Sequence, residues 1–319
     1  MPQVSVVVLT YNSDPAKLRA TLAAAALQQG VSLELIISDD GSVRKDFSFL
    51  PDFFRELDFS YWKLLENPEN LGTVANCCAG VNAATGEYVF LTSAGDILFD
   101  RTTLQQFYEF ASAQEAQLCF GNAVRYCRQD GSIQRTNLYG IPAAPDAYSS
   151  GCALNAQRTA FFGNDFIIGA CYFRKTTFAQ TYFQQLLGVS KYMEDTPSTM
   201  SALADGIKIH YLDRNIVFYE DGSGVSTGAA DKWRKLLEQD MAASLRKLKS
   251  LHPKDPWIDI ALNNATQSSR IKRIAGRFLR HPVLSFSMIL RKKTRKPKQV
   301  SCPAEQLDQL GQLLARYDH

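Results

Sequence analysis

The run VSVVVLTYN at residues 4–12 decides the fold class of this chain. Its first six residues are apolar or β-branched apart from Ser5, which is the pattern of a strand buried on both faces of a parallel sheet. Turn and cap residues follow at 10–15, and strong helix formers fill residues 17–29 (KLRATLAAAALQQ). We therefore predict a strand, a loop and a helix in succession.

The same alternation continues to residue 126. Apolar runs predict further strands at 33–38, 59–65, 87–92 and 118–126, with helical patterns between them at 70–84 and 102–114. Alternating strands and helices predict an α/β fold with an open, mostly parallel sheet flanked by helices. Because ligands of such sheets bind beyond the carboxyl ends of the strands, we expect the site at the loops 10–14, 39–42 and 92–96.

Beyond residue 126 the pattern is less regular. It predicts loop at 127–165, strands at 166–173 and 207–212, a helix at 176–187, and further helices at 232–251, 255–290 and 303–317. The change to a helical pattern places a domain boundary near residue 228. We expect an α/β domain at 1–228 and a helical C-terminal region at 229–319.

Positive charge is concentrated in one segment of the chain. Residues 270–298 contain eleven Lys or Arg and no Asp or Glu, although the net charge of the whole chain is only +3. Apolar residues alternate with these charges, as in amphipathic helices that lie on anionic membranes. The alternative is a helical subdomain with a solvated basic face. A nucleic-acid partner is not expected, because no nucleic-acid-reading module accompanies the charge.

The cysteines and the termini indicate the compartment. Seven cysteines are irregularly spaced without paired CxxC motifs, which predicts reduced thiols and no zinc site. The N-terminus lacks a signal-peptide pattern, and no apolar run reaches the roughly 18 residues that span a bilayer. We expect a cytoplasmic protein, with the inner face of the membrane as the surface for the basic segment.

Polar residues follow the first two predicted strands. Asp39 and Asp40 end the second strand, where carboxylates can accept hydrogen bonds from a nucleobase or ribose; a turn or helix cap is the alternative. Tyr11 follows the first strand and can stack on a base, or pack in the core.

Two further acidic positions are candidates for chemistry. Asp96 ends a small-residue turn after the fourth strand, where a carboxylate can contact a divalent ion held by a diphosphate; a cap is the alternative. The adjacent pair Glu194 and Asp195 can supply a general base for a hydroxyl. Its alternative is an acidic pair at a helix N-terminus, favoured by the helix dipole.

Taken in order, these motifs resemble the family 2 inverting glycosyltransferases with the GT-A fold. The matching stretches are VSVVVLTYN (4–12), LELIISDDGS (33–42), residues 66–99, YMED (192–195) and the loop YEDGSGVST (219–227). The resemblance covers about residues 3–228. It implies transfer of a sugar from a nucleotide-diphosphate donor to an acceptor hydroxyl by a single displacement with inversion.

The resemblance also assigns roles to residues. Asp195 is the implied general base, and Glu194 is its neighbour in the acceptor site. Thr10 and Tyr11 would flank the nucleobase, and Asp40 would accept a hydrogen bond from its imide nitrogen. The full set implied to bind the nucleotide sugar is Thr10, Tyr11, Asn12, Asp39, Asp40, Ser93 and Gly95.

The chain departs from the family where the metal binds. The family's Asp-x-Asp falls on Ser93-Ala94-Gly95-Asp96, so Asp96 is the one carboxylate left to contact Mg²⁺ or Mn²⁺. There are two alternatives. The chain binds metal more weakly, or it is an inactive member of the family that only binds sugar nucleotides or glycans. A nucleotidyltransferase is disfavoured, because residues 9–16 lack a Gly-rich phosphate loop.

The expected partners follow from the same resemblance and from the basic segment at 270–298. They are a UDP- or dTDP-sugar donor, a saccharide or lipid-linked saccharide acceptor, and an anionic membrane surface. The implied process is the synthesis of a surface polysaccharide or lipopolysaccharide.

Overall fold

The computed structural model describes residues 1–129, 132–136, 140–142, 145–149, 160–162, 168–222, 231–267, 269–294 and 300–318. These residues form an α/β fold whose sheet has the strand order β3-β2-β1-β4-β8-β6-β9-β5, with β7 paired to β6. The predicted α/β class with a mostly parallel sheet is confirmed.

The first half of the sheet is parallel. Its strands are β1 (Val4–Thr10), β2 (Leu33–Asp39), β3 (Trp62–Glu66) and β4 (Tyr88–Ser93). The intervening helices are α1 (Pro15–Ala26), α2 (Leu50–Glu56) and α3 (Thr73–Asn82). β1 is apolar throughout because both of its faces are covered: Val6 and Val8 pack with Leu22 of α1, and Val7 packs with Val81 of α3.

The second half of the sheet mixes strand directions. It contains β5 (Ile97–Leu98), β6 (Leu118–Gln129), β7 (Ser132–Arg135), β8 (Tyr172–Lys175) and β9 (Ile209–Glu220). β9 runs parallel to β6, whereas β8 is antiparallel to both β4 and β6. The accompanying helices are α4 (Thr103–Ala113), α5 (Pro145–Ser149), α6 (Thr176–Gln184) and α7 (Asp195–Ala204).

Strand register brings the predicted site loops together. In the parallel ladders Thr10 pairs with Asp39, and Leu9 pairs with Ser93. The carboxyl ends of β1, β2 and β4 therefore lie at one edge of the sheet, and the loops that leave them share that edge.

Helices make up the described C-terminal residues apart from the segments that connect them. They are α8 (Asp231–Leu251), α9 (Pro256–Thr266), α10 (Arg270–Arg280), α11 (Pro282–Thr294) and α12 (Ala304–Tyr317). Leu245 of α8 and Ile258 of α9 join the hydrophobic core beside β6 and β9. No helix among the described residues is both long and apolar enough to cross a bilayer. The predicted boundary near residue 228 lies outside the described residues, so the division into domains stays a prediction.

Several predicted elements differ from those observed. The region predicted as loop contains β7 and α5, and the strand predicted at 207–212 continues to Glu220. The strand predicted at 166–173 is a 3₁₀ turn at Gly169–Cys171 followed by β8, with residues 163–167 outside the described set. The charged and polar residues 213–215 interrupt the apolar pattern of β9, which explains the early end that the sequence predicted.

Candidate active site

A cavity of about 560 Å³ opens at the carboxyl edge of the sheet. Four of its lining residues are Tyr11, Asp40, Asp96 and Asp195, each from a different predicted motif. Thr10, Ser93 and Glu194 line the same cavity. The motifs that the sequence singled out therefore surround one space.

Asp40 forms one wall of this cavity. Its Oδ1 accepts a hydrogen bond from the backbone N–H of Leu71 and its Oδ2 from that of Gly72, both at 2.9 Å. The amide of Asn67 donates to Oδ1 at 3.3 Å. The carboxylate thus fixes the loop before α3, and its remaining lone pairs are available to a ligand.

Asp39 points away from the cavity into the loop that follows β2. Its Oδ1 accepts from the hydroxyl of Ser42 at 2.5 Å and its Oδ2 from the Ser42 N–H at 2.9 Å. The Ser42 hydroxyl in turn accepts from the N–H of Asn12 at 2.7 Å. Asp39 and Asn12 therefore join the loops after β1 and β2, and Tyr11, 46% exposed, lies beside them at the cavity.

The turn after β4 is held from several sides. The hydroxyl of Tyr126 donates to the Gly95 carbonyl at 3.1 Å, and the Gly95 N–H donates to Thr21 Oγ1 at 3.0 Å. Asp96 accepts a weak hydrogen bond from the Ser93 N–H at 3.4 Å. Burial is the main cause that raises the pKa of Asp96 to about 8.

An ion pair that the sequence did not predict lies beside this turn. Lys17 Nζ of α1 donates to Glu220 Oε2 at the end of β9, at 2.5 Å, and Glu220 lines the cavity. Gly95 has a φ of +104°, and a Cβ added there would lie 3.0 Å from Glu220 Oε2 and 3.6 Å from Lys17 Cδ. The backbone conformation and the ion pair together disfavour a carboxylate side chain at position 95.

Glu194 and Asp195 lie at the start of α7. The helix begins at Asp195, and Asp195 Oδ1 accepts from the Thr196 N–H at 2.5 Å. Burial is the main cause that raises the pKa of both carboxyl groups. The pKa of Glu194 rises to about 8, and the negative charge of Asp195 contributes to this rise. A carboxylate whose pKa is raised toward neutrality accepts a proton more readily, which suits a general base.

Arg174 supplies a buried positive charge near this pair. The side chain lies on β8, is 1% exposed, and its guanidinium stacks over Tyr172 at 4.7 Å. Its charge favours the ionised forms of Glu194 and Asp195, while burial lowers its own pKa. Its Nε and Nη1 atoms have no hydrogen-bond partner among the described residues. An arginine that directly follows the apolar run ACYF at 170–173 was the signal that could have identified it.

Helix α8 closes the cavity from the C-terminal region. Leu237 and Met241 line it, and Asp240 accepts hydrogen bonds from the N–H groups of Lys191 and Tyr192 at 3.0 and 2.6 Å. α8 thus holds the segment that leads into Glu194. No pattern in the sequence predicts this contact, because the apolar stripe of α8 is typical of any amphipathic helix.

The comparisons with known proteins concern the family and the fold. The model of the glycosyl transferase family 2 matches residues 5–183. No curated protein sequence matches the chain.

Solved structures show the same fold at low sequence identity. S. aureus TarS 1-349 in complex with UDP-GlcNAc is 17% identical with a TM-score of 0.60, and the alignment covers 99% of this chain and 88% of that one. The chain spans 53% of a longer TarS structure, at 16% identity, 99% coverage of this chain and a TM-score of 0.59.

A third structure comes from another organism. The mannosyltransferase PcManGT from Pyrobaculum calidifontis, in complex with GDP-Man and Mn²⁺, is 16% identical with a TM-score of 0.52; the alignment covers 99% of this chain and 86% of that one. Likeness at this identity supports the fold. Because the family model matches more than half of the chain, the chain belongs to glycosyl transferase family 2.

Proposed function

We propose that this glycosyltransferase moves a sugar from a nucleotide-diphosphate donor to an acceptor hydroxyl with inversion at the anomeric carbon. The observation that carries the proposal is the shared cavity, with Tyr11 and Asp40 at one side and Asp195 at another. Its volume of about 560 Å³ falls in the range of pockets that hold small-molecule ligands.

The chemistry needs one base and one leaving group. Asp195 takes the proton of the acceptor hydroxyl as the hydroxyl oxygen bonds to the anomeric carbon. The bond from that carbon to the diphosphate oxygen breaks in the same step, and its electron pair leaves with the nucleoside diphosphate. Arg174 and the neighbouring Glu194 set the electrostatic surroundings of the base.

The nucleotide would lie against the loops after β1 and β2. Tyr11 offers an exposed ring for stacking on the base, and Thr10 lies beside it. Asp40 keeps acceptor capacity for the imide N–H of uracil or thymine, which supports a UDP- or dTDP-sugar. Ser93 and the turn to Gly95 would lie beside the diphosphate. The TarS structure holds UDP-GlcNAc and the mannosyltransferase holds GDP-Man.

The helices α10 and α11 support an acceptor at a membrane surface. Residues 270–294 contain eight Lys or Arg without an acidic residue. Leu279 and Val283 are 84% and 81% exposed at the junction of the two helices. Basic and apolar side chains together bind anionic lipid. We propose peripheral binding to the inner face of the membrane, with a lipid-linked saccharide as acceptor in surface polysaccharide or lipopolysaccharide synthesis.

The decisive experiment is the exchange of Asp195 for asparagine. The amide cannot take a proton, so turnover of the donor should fall by about 10³-fold, whereas donor affinity should stay within a few fold. Transfer is measured as nucleoside diphosphate release, and donor affinity by calorimetry.

The matched control is Asp205→Asn, because Asp205 follows the opposite end of the same helix and pairs with His252 at 3.1 Å. Full activity in Asp195→Asn would show that Asp195 is not the general base. Donor binding without turnover by the wild-type protein, on any acceptor tried, would instead favour a binding protein.

A further inference from the structure

The cavity has an unusual charge balance for a site that binds a diphosphate. Among its described lining residues, five carry carboxyl groups and none is Lys or Arg: Asp40, Asp96, Glu194, Asp195 and Glu220. A nucleoside diphosphate is itself an anion, and further negative charge develops on it as it leaves. A positive charge must therefore be available next to this lining.

A divalent ion held by the turn after β4 does not fit the residues present. Position 95 is a glycine and offers no carboxylate, and its φ of +104° together with a contact of 3.0 Å from an added Cβ to Glu220 Oε2 disfavours any larger residue there. Glu220 is already paired with an ammonium group at 2.5 Å, and a second cation there would meet like-charge repulsion. Among the described residues, no cluster of three or more His, Cys, Asp or Glu side chains could hold a metal ion.

Lys17 occupies the neighbourhood of the missing carboxylate. Its side chain passes Gly95, with Cδ 3.6 Å from where a Cβ would stand, and its ammonium ends on Glu220, which lines the cavity. The side chain is 23% exposed. An ammonium has three N–H donors, and the bond to Glu220 uses one, so two donors remain for phosphate oxygens.

We propose that Lys17, paired with Glu220, supplies the positive charge that faces the donor's diphosphate, in the place of a carboxylate-bound divalent ion. This inference rests on the proposed function and adds to it that the donor site works without metal. Lys17 stabilises the negative charge that the diphosphate gains when its bond to the anomeric carbon breaks.

The test compares nucleoside diphosphates with the matching monophosphates in EDTA. UDP, dTDP and GDP, each beside its monophosphate, are titrated into the wild-type protein and into Lys17→Met. We expect the wild type to bind one diphosphate at least tenfold more tightly than its monophosphate without metal. The methionine variant should lose that preference while its affinity for the monophosphate stays unchanged, because only the β-phosphate loses its partner.

Two further variants make the result specific. Lys17→Arg keeps the charge and should keep most of the preference. Lys249→Met is the matched control, because Lys249 is similarly exposed at 26% and pairs with Asp259 at 2.7 Å, on the C-terminal helices. Turnover in EDTA should fall by about 10²-fold in Lys17→Met and remain unchanged in Lys249→Met.

The outcomes separate this inference from the function on which it rests. A diphosphate preference that persists in Lys17→Met, or that appears only after Mn²⁺ is added, overturns the role of Lys17 and leaves glycosyl transfer intact. Absence of binding to all six nucleotides by the folded wild-type protein, with and without Mn²⁺, counts against the donor class itself.

Discussion

Asp39 and Asp40 are neighbours in sequence with different surroundings. Asp39 is fully buried and bonds to Ser42 within its own loop, whereas Asp40 lines the cavity and bonds to Leu71 and Gly72. The sequence predicted that an acidic pair would lie at this edge. It could not predict which of the two carboxylates faces the cavity, because the position of Asp40 depends on hydrogen bonds from the loop before α3, which is remote in sequence.

Asparagine at position 40 should weaken both the loop and nucleotide binding. One oxygen of the carboxylate becomes an NH₂ group that faces a backbone N–H of Leu71 or Gly72, so one buried hydrogen bond is lost. We expect a loss of about 1 to 3 kcal/mol in the free energy of unfolding, measured by urea titration. Nucleotide affinity should fall as well. An unchanged free energy of unfolding would mean that the loop does not depend on this carboxylate.

Glu34 provides a pH-dependent contribution to stability far from the cavity. Its Oε1 accepts hydrogen bonds from the hydroxyl of Ser5 at 2.6 Å and from the N–H of Thr85 at 2.6 Å, and Lys63 lies 3.1 Å from Oε2. Burial alone would raise the pKa of Glu34, but these bonds outweigh it and leave the pKa lowered.

Because the folded-state pKa lies below the unfolded value, this stability is present above the unfolded pKa and is lost as pH falls through the folded pKa. Glu34→Gln should cost about 2 to 4 kcal/mol at pH 7 and progressively less as pH falls below the unfolded pKa of about 4.5. Urea unfolding across this range measures the difference, with exposed Glu56→Gln as the control. A constant difference across the pH range would contradict the assignment.

At the scale of elements, the sequence predicted best where burial is complete. β1, β2 and β4 were identified because both faces of each strand are covered, so their patterns are almost uninterrupted. It missed β5, which has two residues, and the end of β9 at Glu220, where polar residues precede the buried ones. The ion pair of Glu220 with Lys17 escaped prediction for this reason, since the pairing of β5 with β9 places the end of β9 beside the turn after β4.

The basic helices α10 and α11 should bind anionic vesicles. Exposed Leu279 and Val283 would enter the lipid interface, while the Lys and Arg residues contribute about 1 kcal/mol each near an anionic surface. We expect co-sedimentation with vesicles that contain phosphatidylserine, little binding to neutral vesicles, and weaker binding at high salt.

Leu279→Asp with Val283→Asp should abolish this binding and leave nucleotide affinity unchanged. Leu251→Asp is the control, because Leu251 is 55% exposed at the end of α8. Equal binding by the double variant and the wild type would show that another surface contacts the lipid. If the wild type does not bind vesicles, the alternative holds, in which the basic face of these helices is simply solvated.

Across the whole molecule, the last helix, α12, packs against the first helix, α1, and against the sheet. Leu310 and Leu314 of α12 pack in one buried cluster with Ala20 of α1 and with Tyr126 and Phe218 of the sheet. Tyr126 holds the Gly95 carbonyl, so the support of α12 extends to the turn beside Lys17. The segment before α12 is tied to the sheet as well, since the Asn215 amide donates to the Ser301 carbonyl at 2.7 Å.

Leu314→Ala should therefore destabilise the whole chain and not only its C-terminal end. Leu314 is 3% exposed, and removing such a buried side chain typically costs about 2 to 5 kcal/mol. Because the lost contacts reach α1 and the sheet, we expect the N-terminal and C-terminal halves to lose stability together. Urea unfolding measures the stability of the whole chain, and hydrogen exchange of α1 and of α12 measures the stability of each half. Gln312→Ala, at an exposed position of the same helix, is the control. Faster exchange confined to α12 would show instead that this helix opens independently of the sheet.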